Sequence, residues 1–63
     1  MRVLENTSMA VTIRYDGVLK TLDDATTAAR KACAAYDKTA QLRRNEVIAI
    51  AERYAHFDCV SRR

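Results

Sequence analysis

Proline is absent from the 63 residues, and glycine occurs once, at Gly17. Both residues punctuate chains, so their scarcity argues against a fold built of many tight loops. Tryptophan is missing, Phe57 is the single phenylalanine and His56 the single histidine. One histidine and two well-separated cysteines, Cys33 and Cys59, spell out no metal-ligand set. No apolar run approaches the ~20 residues that a membrane-crossing helix needs. There is no phosphate-binding glycine loop and no recognisable nucleophile–base pair. The expectation is therefore a non-enzymatic protein with no metal, no cofactor and no membrane span.

What is present is charge and alanine. Eleven Lys and Arg face eight Asp and Glu, giving a net charge of +3 and a pI near 9.2. A mildly basic surface suits nucleic acid or an acidic protein partner. A chain this short buries only ~60% of its unfolded surface and is marginal alone. Disulfides, a metal or a partner usually supply the rest. A Cys33–Cys59 bridge is one possibility. Met1 to Met9 is polar and mixed and reads as no signal peptide, so the default expectation is a cytoplasmic chain with free thiols. Cys33 then reads as a buried small hydrophobe, and Cys59 as an exposed, oxidation-prone thiol. A second copy becomes the simplest route to stability.

Along the chain, residues 1–9 read as a flexible arm, with Met9 as an alternative start. Residues 10–59 read as one small β-α-α domain, and 60–63 as a frayed basic tail. Val11, Ile13 and Tyr15 alternate with Thr12 and Arg14, which is the period of a half-buried strand. Asp16-Gly17 then opens a fork. It can form a two-residue hairpin turn, or Asp16 can cap a helix that starts at once. Thr21 with Asp24 three residues on resembles a capping box. Leu22, Ala25, Ala29, Ala32, Cys33 and Tyr36 follow at helical spacing. The break falls within Asp37 to Gln41. A second amphipathic helix is expected over 42–57, with Val47, Ile48, Ile50, Tyr54 and Phe57 on its core or dimer face. So broad an apolar face demands cover from a second subunit. His56 reads as a cation near that helix's C-terminal end. Arg43, Arg44 and Asn45 would gather at its N-terminus, where free N–H groups attract phosphate. The resulting fold class is α+β: a short N-terminal β element, ribbon or hairpin, followed by two amphipathic helices in a dimer.

Read together, Val11-Thr12-Ile13-Arg14, Leu22-Asp23 and Arg44-Asn45-Glu46-Val47-Ile48 resemble the ribbon-helix-helix family of small homodimeric DNA-binding repressors. That resemblance implies paired strands from two subunits in the major groove. It makes Thr12 and Arg14 the base readers and Arg43, Arg44 and Asn45 the phosphate contacts. It also implies a transcriptional regulator. The segment between the motifs is longer than in that family by roughly three turns of ~3.6 residues. The competing reading takes Asp16-Gly17 as a hairpin turn pairing Val11–Tyr15 with Val18–Thr21. The chain is then a phage or mobile-element accessory protein that binds a host protein, with an exposed edge available for strand addition.

Overall fold

The computed structural model describes residues 1–61. The chain forms β1 (Arg2–Asn6), β2 (Ala10–Asp16), α1 (Leu22–Ala34), β3 (Lys38–Val47) and β4 (Glu52–Ser61). All strand pairs are antiparallel, in the order β1-β2-β4-β3. The helix lies across one face of this four-stranded sheet, and among the described residues no helix or strand covers the other face.

Period-two patterning decides which side is covered. On β2, Val11, Ile13 and Tyr15 are buried while Thr12 and Arg14 look the other way. On β4, Ala55, Phe57 and Cys59 are buried, between Tyr54, His56, Asp58 and Val60. From α1, Ala25, Ala29 and Cys33 complete the core. They stand four residues apart, on one stripe of the helix. Their small size lets the helix axis come close to the sheet, where Phe57, Ile13 and Val11 supply most of the volume.

The helix begins as its capping box requires. The Asp24 N–H donates to Thr21 Oγ1 at 3.3 Å, and the Thr21 N–H donates to Asp24 Oδ2 at 2.9 Å. It ends without glycine. The Tyr36 and Asp37 N–H groups donate to the Cys33 and Ala34 carbonyls. Asp37 then takes φ 57°, the left-handed conformation that Asp tolerates better than most residues. Cys33 and Cys59 are joined by a disulfide, with Cα atoms 5.3 Å apart. The bridge ties the last turn of α1 to β4.

Several expectations are corrected here. The second helix over 42–57 does not exist: those residues form most of the β3–β4 hairpin. The row of Val47, Ile50, Tyr54 and Phe57 fits helical spacing, but the alternation from Arg53 to Val60 prevails. The hairpin buries Phe57 on the alternation of β4, while Val47 at the end of β3 and Ile48 and Ile50 in the turn beyond it stay exposed. The argument for a dimer from a broad helical face lapses with that helix. Arg2–Asn6, expected to be a flexible arm, is an edge strand paired with β2, with a bulge at Leu4. Neither branch at Asp16-Gly17 is taken. Residues 17–21 are a loop, and β2 finds its partners in β1 and β4 of its own chain. The cysteines are not free, and Cys59 is buried. Of the expected basic tail, Val60 and Ser61 belong to β4, and Arg62 and Arg63 lie outside the described residues.

Candidate binding surfaces

The uncovered sheet face is built from alternate residues of all four strands. Register places Arg2 beside Arg14 and Glu5 beside Thr12. It places Thr12 beside His56 and Arg14 beside Tyr54, then His56 beside Arg44 and Tyr54 beside Glu46. Directly paired residues share a face with Cβ atoms ~5 Å apart, so these side chains meet. Thr12 Oγ1 lies 3.3 Å from His56 Nδ1, and His56 Nε2 lies 2.7 Å from Glu46 Oε1. A neutral imidazole protonated at Nε2 satisfies both contacts: it donates to Glu46 and accepts from the Thr12 hydroxyl. Arg44 reaches Glu46 at 3.6 Å, Arg14 reaches Glu52 at 3.3 Å and Arg43 reaches Asp58 at 3.7 Å.

Hydroxyl, imidazole and carboxylate in a row have the order of a hydrolytic triad, but the setting does not support that chemistry. Acyl transfer needs free donors aimed at a developing oxyanion. Thr12 lies on an inner strand whose backbone is engaged by β1 on one side and β4 on the other. The beginnings of a pocket there are a shallow cleft of about 280 Å³ lined by Arg43, Arg44, Glu46 and His56. The row is best read as a cross-strand polar ladder fixing the register of β2, β4 and β3. Among the described residues no cluster of three metal-ligating side chains occurs.

The residues singled out from the sequence are thus scattered. Thr12 and Arg14 do share the open face, but they are bonded to His56 and Glu52. An intermolecular ribbon through β2 is impossible, because both of its edges are occupied. Arg43, Arg44 and Asn45 sit in the middle of β3, where no helix terminus offers free N–H groups. Asn45 Oδ1 accepts from the Tyr15 hydroxyl at 3.1 Å, on the helix side of the sheet. Arg43 occupies the irregularity between Leu42 and Arg44 in the β3–β4 register. Sequence reasoning missed the partnership of His56 with Glu46. The signal available was the alternation of Tyr54, His56 and Asp58 against Ala55, Phe57 and Cys59.

Two other surfaces stand out. One is the outer edge of β3, a ten-residue strand that among the described residues pairs only with β4 and is exposed from Gln41 to Asn45. The other is the end of the molecule where the loop after β2 meets the β3–β4 turn. The Gly17 N–H donates to the Ala51 carbonyl at 2.7 Å, joining the two loops. Val18, Leu19, Val47, Ile48 and Ile50 are all more than half exposed there. Comparison with protein-family models, curated proteins and solved structures returns no match.

Proposed function

We propose that this chain is a non-enzymatic binding domain that takes up a protein partner by strand addition along β3. The observation that carries this reading is the long, unpaired, solvent-facing edge of β3. An edge of that length presents a row of N–H and C=O groups that an extended segment can satisfy. Lys38, Arg43 and Arg44 against one acid give the strand a net positive charge, which with the bulge at Arg43 discourages indiscriminate pairing and favours an acidic segment that shares these cations with Ser8, Asp58 and Glu46. Glu46 is the one acid on β3, and it is occupied by His56 and Arg44.

In an antiparallel pair, alternate residues turn their N–H groups toward the neighbour and away from it. Single prolines from Gln41 to Asn45 should therefore fall into two sets. One set damages the β3–β4 pairing and the fold. The other leaves the circular dichroism spectrum intact and abolishes capture of the partner. If the fold-neutral set still binds the partner with unchanged affinity, strand addition is wrong.

A second reading, contact with nucleic-acid phosphates in a regulatory role, is favoured by a different feature. Arg30, Lys31 and Lys38 line an open cleft of about 500 Å³ between α1 and β3, with Ala34 and Thr39 and no acid. Such binding should weaken steeply with salt, and an Arg30→Ala/Lys31→Ala variant should bind all duplex sequences less well. Equal duplex retention by that variant across a salt series removes this reading.

A further inference from the structure

We infer that the segment added along β3 runs antiparallel to it and ends over the cleft between α1 and β3, where Arg30, Lys31 and Lys38 hold acidic side chains near the segment's C-terminal end. This rests on the strand-addition reading and supplies its polarity and its charge anchor. The cleft, about 500 Å³, is lined by Arg30, Lys31 and Ala34 of α1 and by Lys38 and Thr39 of β3. Lys38 and Thr39 are also the first residues of the exposed edge strand, so cleft and edge are continuous.

The fold sets where the cleft opens. Cys33, beside Ala34 in α1, is bonded to Cys59 of β4, and Ala40 stands opposite Cys59. On the β4 side of β3, the space between helix and sheet is therefore filled by core. Arg30 and Ala34 are four residues apart, on one flank of α1. Both are exposed, away from the stripe of Ala25, Ala29 and Cys33. An open cleft shared by that flank and β3 lies on the other side of the strand, which is its unpaired edge.

Charge along this edge is uneven. Arg43 and Arg44, midway along β3, already have Asp58 at 3.7 Å and Glu46 at 3.6 Å. Among the described residues Arg30 and Lys31 join no ion pair. Lys38 Nζ donates to the Ser8 carbonyl at 2.8 Å, a neutral acceptor that leaves its charge in place. Among the described residues no acid lines the cleft, and Asp37 of the connecting loop is not one of its walls. The helix dipole accounts for Lys31 in the last turn of α1, but not for Lys38 of β3 in the same cleft.

The positive charge left for a partner is thus concentrated at the Lys38 end of β3. Every pairing in the sheet is antiparallel, and antiparallel pairing is the more stable per residue. A strand added in that sense brings its C-terminal end beside Lys38. Three cations exceed the single charge of a chain terminus, so the acids are side chains. A nucleic-acid backbone needs cations along a track, and beyond the cleft those of β3 are taken up by Asp58 and Glu46.

The probes are blocked peptides as long as β3, of alternating Thr and Val, carrying Glu-Glu at the C-terminal end, Glu-Glu at the N-terminal end or Lys-Lys at the C-terminal end. By fluorescence anisotropy at low salt, C-terminal Glu-Glu should bind about tenfold tighter than N-terminal Glu-Glu, an advantage that shrinks as salt is added. Arg30→Gln/Lys31→Gln should remove the advantage with the circular dichroism spectrum unchanged. Arg30→Glu/Lys31→Glu should transfer the preference to the Lys-Lys peptide, which loss of structure could not do. A nitroxide at the peptide's C-terminal end should broaden the amide signals of Lys38 and Thr39 and spare those of Glu46 and Val47. A preference for N-terminal acids, or equal binding of both Glu-Glu peptides indifferent to the cleft substitutions, overturns the polarity and the anchor while strand addition stands. Failure of every peptide to bind at millimolar concentration overturns both. DNA that binds through Arg30 and Lys31 where no peptide does overturns the proposal and gives the cleft to nucleic acid.

Discussion

Asp24 shows how much a single exposed side chain contributes to the fold. Its carboxylate accepts from the Thr21 backbone and hydroxyl, and these bonds, with Lys20 nearby, hold its pKa below the ordinary Asp value. A carboxyl whose folded pKa is depressed adds stability that is fully present above its unfolded pKa. That stability is lost as pH falls through the folded value. Acidification from about pH 3.9 downward should therefore loosen the first turn of α1. The stability gap between wild type and Asp24→Ala, from denaturant melts, should close over the same range. A gap constant with pH would exclude the charged cap as its source. At the other end of the helix, Asp37 holds φ 57°. Asp37→Gly should preserve or raise the melting temperature, whereas Asp37→Val should cost about 1–2 kcal/mol for the left-handed backbone.

At the scale of elements, the β2–α1 half was legible and the β3–β4 half was not. Alternation marked β2, and Thr21 with Asp24 marked the start of α1, because both signals are local. The hairpin turn, Ile48-Ala49-Ile50-Ala51, contains none of the residues that usually announce one. It forms because the flanking strands have faces to bury and because β4 can pair with β2 across the whole chain, which is not a local signal. The site suffered most from this. Arg43, Arg44 and Asn45 read as a helix start, and His56 as a helix end, so their meeting on one sheet was invisible.

Gly17 and Arg53 hold the two loops of the apolar end together. Gly17 has no positive φ; it is needed for space, since a Cβ there would fall 2.9 Å from Arg53 Cγ and Cζ. Arg53 lies over it and donates from Nη2 to the Ile50 carbonyl at 3.4 Å, while its Nε is buried without an acceptor. Gly17→Ala should therefore destabilise by about 1 kcal/mol, at the low end for overpacking because a flexible side chain yields. Amide exchange should quicken at residues 48–51. In an Arg53→Ala background the same substitution should cost much less, and a double-mutant cycle measures that coupling. Strict additivity would mean that the two loops are held by something else.

For the whole molecule, the question is how so small a core suffices. Among the described residues the buried side chains are four large ones, Val11, Ile13, Tyr15 and Phe57, with three alanines and the bonded cysteines. A single core below ~70–80 residues rarely supplies more than ~3–5 kcal/mol. The Cys33–Cys59 bridge closes a loop with a sequence separation of 26, for which chain entropy alone gives about 3–4 kcal/mol. The two terms are of equal size, so the bridge accounts for about half of the stability that the two together supply. Chain length gave notice of this need for a staple, but the spacing of two cysteines could not show that the helix brings one beside the other. Reduction, or a Cys33→Ala/Cys59→Ala variant, should lower the stability by about 3–4 kcal/mol and the melting temperature with it. Melting curves recorded by circular dichroism with and without reductant test this directly. Retention of the full melting temperature after complete reduction, verified by thiol titration, would show that the sheet and helix hold without it. Among the described residues no helix is long and apolar enough to cross a membrane, and stability that depends on a disulfide ties the fold to the redox state of its surroundings.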